Sequence, residues 1–65
     1  MVNYNFYTYL RQAYLRIEDT KTNEFYHYNI SEWTPFDVEE VMVNHGIKMT
    51  QHIWEHIQDV LSKIF

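Results

Sequence analysis

Ala13-Tyr14-Leu15-Arg16-Ile17-Glu18-Asp19-Thr20-Lys21-Thr22-Asn23-Glu24-Phe25-Tyr26-His27-Tyr28-Asn29-Ile30 is the stretch on which the fold turns. Ala13, Leu15 and Ile17 alternate with Tyr14, Arg16 and Glu18, the two-residue period of a strand with one buried face. A short polar segment follows, in which Asn23 suits a residue held at positive φ. Glu24 to Ile30 then returns to strand-favouring aromatics. Two strands around a polar turn predict a β-hairpin over 13–30.

Downstream, Thr34-Pro35-Phe36-Asp37 reads as a helix start. Thr34 caps, Pro35 fits the first helical position, and Asp37 sits where the acid of a capping box lies. The helix is expected over 35–45, with Gly46 supplying the left-handed turn that ends it. Val38, Val41, Met42 and His45 form one stripe, and Phe36 and Val43 a second, roughly opposite. One stripe belongs to the core; the other is free for a partner or a neighbouring helix. A second helix is expected over 50–64, where Ile53, Ile57, Val60, Leu61 and Ile64 keep a 3.6-residue period with Trp54 and Phe65 at the edge.

Upstream, the first twelve residues admit two readings. Tyr4, Phe6, Thr8 and Leu10 alternate like a strand, whereas Phe6, Tyr9, Leu10 and Ala13 fit a helix. The preference of Tyr and Phe for pleated surfaces favours a strand. The resulting order is β-β-β-α-α in one domain of the α+β class, a small antiparallel sheet with both helices against one face.

Composition narrows the function. Twelve of the 65 residues are aromatic, and seven fall in two bursts, Tyr4 to Tyr9 and Phe25 to Tyr28. So small a domain cannot bury every ring, and exposed aromatic clusters mark places where another macromolecule lands. Size scaling has folding bury ~7,200 Å², worth ~100 kcal/mol, and ordering the chain costs a similar amount. Without cysteine there is neither disulfide nor thiolate metal site to close that gap. A homodimer is the expected remedy.

Nine acids against five bases give a net charge of −4, which disfavours a broad phosphate-binding face. No apolar run approaches the ~18 residues of a membrane span. The opening Met-Val-Asn-Tyr lacks the basic and apolar regions of a signal peptide, so a cytoplasmic protein is expected.

Catalytic patterns are thin. His52-Ile53-Trp54-Glu55-His56 reads H-x-x-E-H, the zinc-binding pattern of inverted zinc proteases, but a further protein ligand and a substrate cleft are required, and Asp59 is the one acid downstream. Solvent-facing polar residues account for the same histidines. Ser31 and Ser62 sit in no nucleophile elbow or relay. One glycine cannot build a phosphate cradle. The expectation is a non-enzymatic chain without cofactor or metal. His27, between Tyr26 and Tyr28, could stack on a nucleic-acid base. An aromatic ladder packed across strands or on a dimer mate explains the same residues without nucleic acid, and the negative charge favours it.

Glu24-Phe25-Tyr26-His27-Tyr28 after a polar turn, followed by Trp33-Thr34-Pro35-Phe36-Asp37-Val38-Glu39, resembles the small phage-encoded inhibitors of uracil-DNA glycosylase. The resemblance implies an acidic dimer whose helices imitate DNA, with Phe36, Asp37, Glu39 and Glu40 at the contact. This chain differs in its N-terminal aromatic segment and in a C-terminal helix where that family has a short closing strand. Phe6-Tyr7-Thr8-Tyr9-Leu10, Asn23-Glu24-Phe25 and the two C-terminal helices are also similar to small bacterial domains of the sterile-alpha-motif-like type, which would make the hairpin helical.

The expected function is a protein-binding module of the kind phages use to inhibit a host enzyme or defence protein. Its interface would combine Tyr7, Tyr9, Tyr26 and Tyr28 with Trp33, Phe36, Asp37, Glu39 and Glu40. The alternative is a small nucleic-acid-binding regulator, with 35–45 and 50–64 as a helix-turn-helix presenting Gln51, His52, Glu55 and Gln58.

Overall fold

In the computed structural model, residues 2–64 are described; the expected place of Phe65 beside the second helix lies outside them. The chain runs β1 (Val2–Tyr9), β2 (Gln12–Asp19), β3 (Glu24–Asn29), α1 (Pro35–Asn44) and α2 (Gln51–Ser62). The strands form one antiparallel sheet in the order β1-β2-β3. The α+β expectation holds. The N-terminal segment is a strand, and the hairpin is not helical.

β1 and β2 are joined through Leu10 and Arg11, with φ of 51° and 62°. A two-residue hairpin of this hand needs positive φ at both central positions, normally supplied by Asn and Gly. Leu and Arg pay for it in backbone strain of about 1–2 kcal/mol each. This turn is the feature that the alternating pattern of residues 4–10 obscures, because it places Leu10 outside the strand. β2 and β3 are joined more gently. The Asp19 carboxylate accepts from the N–H groups of Lys21 at 3.0 Å and Thr22 at 3.4 Å, and Asn23 takes φ 60° before β3 begins.

Both helix starts are capped. The Thr34 hydroxyl accepts from the Asp37 N–H at 3.3 Å, and the Asp37 carboxylate accepts from the Thr34 N–H at 3.0 Å. The Thr50 hydroxyl accepts from the Ile53 N–H at 3.2 Å. At the end of α1, the Gly46 N–H reaches the Val43 carbonyl at 2.9 Å and the Ile47 N–H reaches the Met42 carbonyl at 3.0 Å, with Gly46 at φ 88°. This paired arrangement satisfies carbonyls that the helix leaves open and folds Ile47 into the core.

The core lies between the sheet and the helices. Ala13, Leu15, Ile17, Ile30, Val38, Met42 and Ile57 are fully buried, joined by Phe6, Ile47, Ile53, Val60 and Leu61. Of the two α1 stripes, Val38 and Met42 face the core, while Phe36 and Val43 are exposed. α2 buries Ile53, Ile57, Val60 and Leu61, while Ile64, expected on the same stripe, lies past its end and is half-buried. The total accessible surface is 4714 Å².

Candidate interaction surfaces

Strand pairing decides where each aromatic points. Phe6 pairs with Leu15, Tyr4 with Ile17, Leu15 with Tyr28 and Ile17 with Tyr26. Directly opposed residues share a face. Tyr4, Phe6, Tyr26 and Tyr28 therefore lie on the helix-covered side, and Tyr7, Tyr9, Tyr14, Phe25 and His27 on the open side. The nine residues expected to form one interface fall into three places.

Tyr26 and Tyr28 are half-buried beneath the end of α1. Their rings flank His45 at centroid distances of 4.4 and 5.9 Å, and the Tyr28 hydroxyl meets His45 Nε2 at 2.7 Å. Tyr28 also packs on Trp33 at 5.6 Å. The Tyr26 hydroxyl donates to the Glu24 carboxylate. That hydrogen bond, then the charge of the carboxylate, raises the Tyr26 phenol above its ordinary range. These two tyrosines hold α1 to the sheet.

The second place is the outer surface of α1. Trp33, Asp37, Glu40 and Val41 line an open concavity. On the adjoining stripe Phe36 is 70% exposed and Val43 51% exposed, with Glu39 between them. Phe36 leans on Trp54 of α2 with centroids 5.2 Å apart, which fixes the ring while leaving most of it in water. Five expected residues are thus gathered at α1, Phe36, Asp37, Glu39 and Glu40 on the helix and Trp33 just ahead of its cap, mixing aromatic and acidic side chains. Asp37 is also the capping acid, so its carboxylate is held in position.

The third place is the open face of the sheet. Tyr7, Tyr14 and His27 form a cross-strand cluster with centroids 5.1–5.7 Å apart and ring planes within 17–24° of parallel, and the Tyr7 hydroxyl bonds His27 Nε2. The Arg16 guanidinium lies 5.0 Å from the centre of the Phe25 ring. Tyr9 is 65% exposed and Phe25 52%. Asn3, Asn5, Gln12 and Asn29 have the same parity and surround the rings. Tyr14, Arg16, Phe25 and His27 were not among the expected contact residues. The alternation of β2 already marked Tyr14 and Arg16 as outward; Phe25 and His27 needed the register, because every residue from Phe25 to Tyr28 is a ring.

Several polar groups outside these surfaces have structural partners. Ser31 Oγ accepts from the Ala13 N–H at 2.9 Å and contacts Asn29 Oδ1 at 2.6 Å and Gln12 Oε1 at 3.2 Å, closing the end of the sheet. His56 packs edge-on against Phe6 at 5.0 Å, and Asp59 pairs with Lys63 at 3.2 Å. Among the described residues no three metal-ligating side chains come together, and no helix is long and apolar enough to cross a membrane. Gln51, His52, Glu55 and Gln58 are exposed along α2. Set against protein-family models, curated proteins and solved structures, the chain matches none of them.

Proposed function

We propose that this chain is a non-enzymatic protein-binding module that blocks a host enzyme or defence protein in the cytoplasm, in the manner of small phage inhibitors. The reading is carried by the outer surface of α1, a capped helix on which Phe36 stands 70% exposed with Asp37, Glu39 and Glu40, and with Trp33 just ahead of the cap. A large exposed ring fixed by a neighbour loses little entropy on binding, and aromatic anchors dominate interface energetics. The acids beside it steer a basic partner and set orientation. Charge is concentrated on this side: residues 31–64 hold two bases against six acids, whereas residues 2–30 hold three against three.

The test is affinity capture from a host lysate with wild type, Phe36→Ala and Glu40→Lys as baits. The captured protein should be lost with Phe36→Ala, a weakening of ~2 kcal/mol or more, and reduced with Glu40→Lys. Equal capture by all three baits would exclude this surface. A nucleic-acid-binding regulator is the second reading, favoured by the Tyr7–Tyr14–His27 cluster beside Arg16. It requires binding to single-stranded DNA or RNA at low salt that weakens steeply as salt rises.

A further inference from the structure

We infer that the open face of the sheet is the seat of a second copy of this chain, the two sheets packing face to face with their helices outermost. The inference is independent of the α1 reading, since it uses the opposite side of the molecule.

Charge selects the occupant and the side. Each copy carries −4, and the whole of that excess lies in residues 31–64. Pairing through the helices would oppose two acidic surfaces. Pairing through the sheets joins halves whose charges balance and holds the acidic layers apart, two sheet thicknesses away. On the open face itself the charged side chains are Arg16 and Glu18, one of each sign, and β1 carries no charge at all.

Composition agrees. Antiparallel sheets that face water show a polar outer face; here Tyr7, Tyr14, His27 and Arg16 occupy the middle rows with Asn5 and Asn29 among them, and Tyr9 and Phe25 lie at opposite corners. Aromatic and arginine side chains are the ones that protein interfaces enrich. Strands of eight, eight and six residues at ~3.3 Å rise, set ~4.8 Å apart, give a footprint of roughly 350 Å². That footprint is under half the ~800 Å² per partner of a standard interface, so the dimer belongs to the weak, concentration-dependent kind. Aligned sheet packing then needs only the small rotation that sheet twist imposes. A two-fold axis makes the patch self-complementary, so Arg16 of one copy, resting on its own Phe25, can pair with Glu18 of the other.

Sedimentation velocity and light scattering across a dilution series provide the test. Wild type should run at twice the 8.1 kDa chain mass and dissociate on dilution. Phe25→Glu replaces an apolar ring by a carboxylate that packing between the sheets would desolvate, and should weaken the dimer about 100-fold or more. Phe36→Glu, on α1, should leave the dimer intact. Because Phe25 is 52% exposed, its replacement leaves the core in place, to be checked by circular dichroism. A measurement on wild type removes any dependence on the variant: a soluble paramagnetic probe should broaden the Phe36 ring signals and spare those of Tyr9 and Phe25. A wild-type monomer at every concentration, a folded Phe25→Glu dimer, a dimer lost with Phe36→Glu alone, or equal broadening of all three rings would each overturn the inference.

Discussion

The two faces of one three-stranded sheet are built from alternate residues of the same strands and behave as different materials. The covered face presents Ala13, Leu15 and Ile17, all fully buried under α1 and α2. The open face presents Tyr14, Arg16 and Glu18 from the same strand, beside Tyr7, Tyr9, Phe25 and His27. The difference separates two uses of bulk. Aliphatic side chains fill volume next to helices, where close packing is rewarded. Aromatic rings on the open face pack sideways on one another and keep a polar edge toward whatever lies above them. The aromatic excess of the composition is therefore divided: Tyr4, Phe6, Tyr26 and Tyr28 help hold the fold, and Tyr7, Tyr9 and Phe25 are left outside.

The contrast is broken most severely from the covered side. Leu15→Ala should cost about 2–5 kcal/mol in chemical denaturation, because a fully buried side chain leaves a cavity beneath two helices. Phe25→Ala should cost far less, and its effect should fade as the protein is diluted, since the stability it removes belongs to association. A Phe25→Ala loss that matches Leu15→Ala and ignores concentration would mean the open face is part of the monomer's own core.

The Leu10–Arg11 turn fixes which residues of β1 face the helices, so changing it sharpens the contrast. Replacing the pair by Asn-Gly supplies residues that accept positive φ at both positions. The double variant should gain about 1–3 kcal/mol by denaturant midpoint, the strain relieved at two positions less the entropy cost of the new Gly, with Tyr7 and Tyr9 still on the open face. A loss of stability would show that Leu10 or Arg11 makes contacts worth more than the strain.

The smallest effect sits at the rim of the covered face. Tyr26 has its phenol raised by Glu24, so the folded state holds that proton more tightly than the unfolded chain does. The stability this contributes is complete below pH ~10 and disappears as pH rises through the elevated value. Glu24→Gln should move the Tyr26 titration back toward ~10 in an NMR pH series. An unchanged titration would place the cause elsewhere than the carboxylate.

Legibility followed the range of the interaction. The alternation of residues 13–17, the positive φ of Asn23, the Thr34–Asp37 capping box and the Gly46 stop could all be read from neighbours within a few positions. The α1 surface was legible for the same reason, because Phe36, Asp37, Glu39 and Glu40 share a helix whose period is fixed. Tyr26 and Tyr28 were grouped with Tyr7 and Tyr9 because all four belong to the two aromatic bursts of the sequence. Their separation follows from register, which places Tyr26 opposite Ile17 and Tyr7 opposite Tyr14.

By itself, then, the sequence determined the order of elements, their caps and turns, and the aliphatic stripes of the helices. These depend on backbone preference and on periods that repeat every two or 3.6 residues. Only the tertiary structure decided which side of β1 and β3 the helices would cover, and so which rings became structural and which stayed exposed. Where both parities of a strand are aromatic, hydrophobicity no longer distinguishes its faces. The choice passes to strand pairing and to where α1 and α2 land.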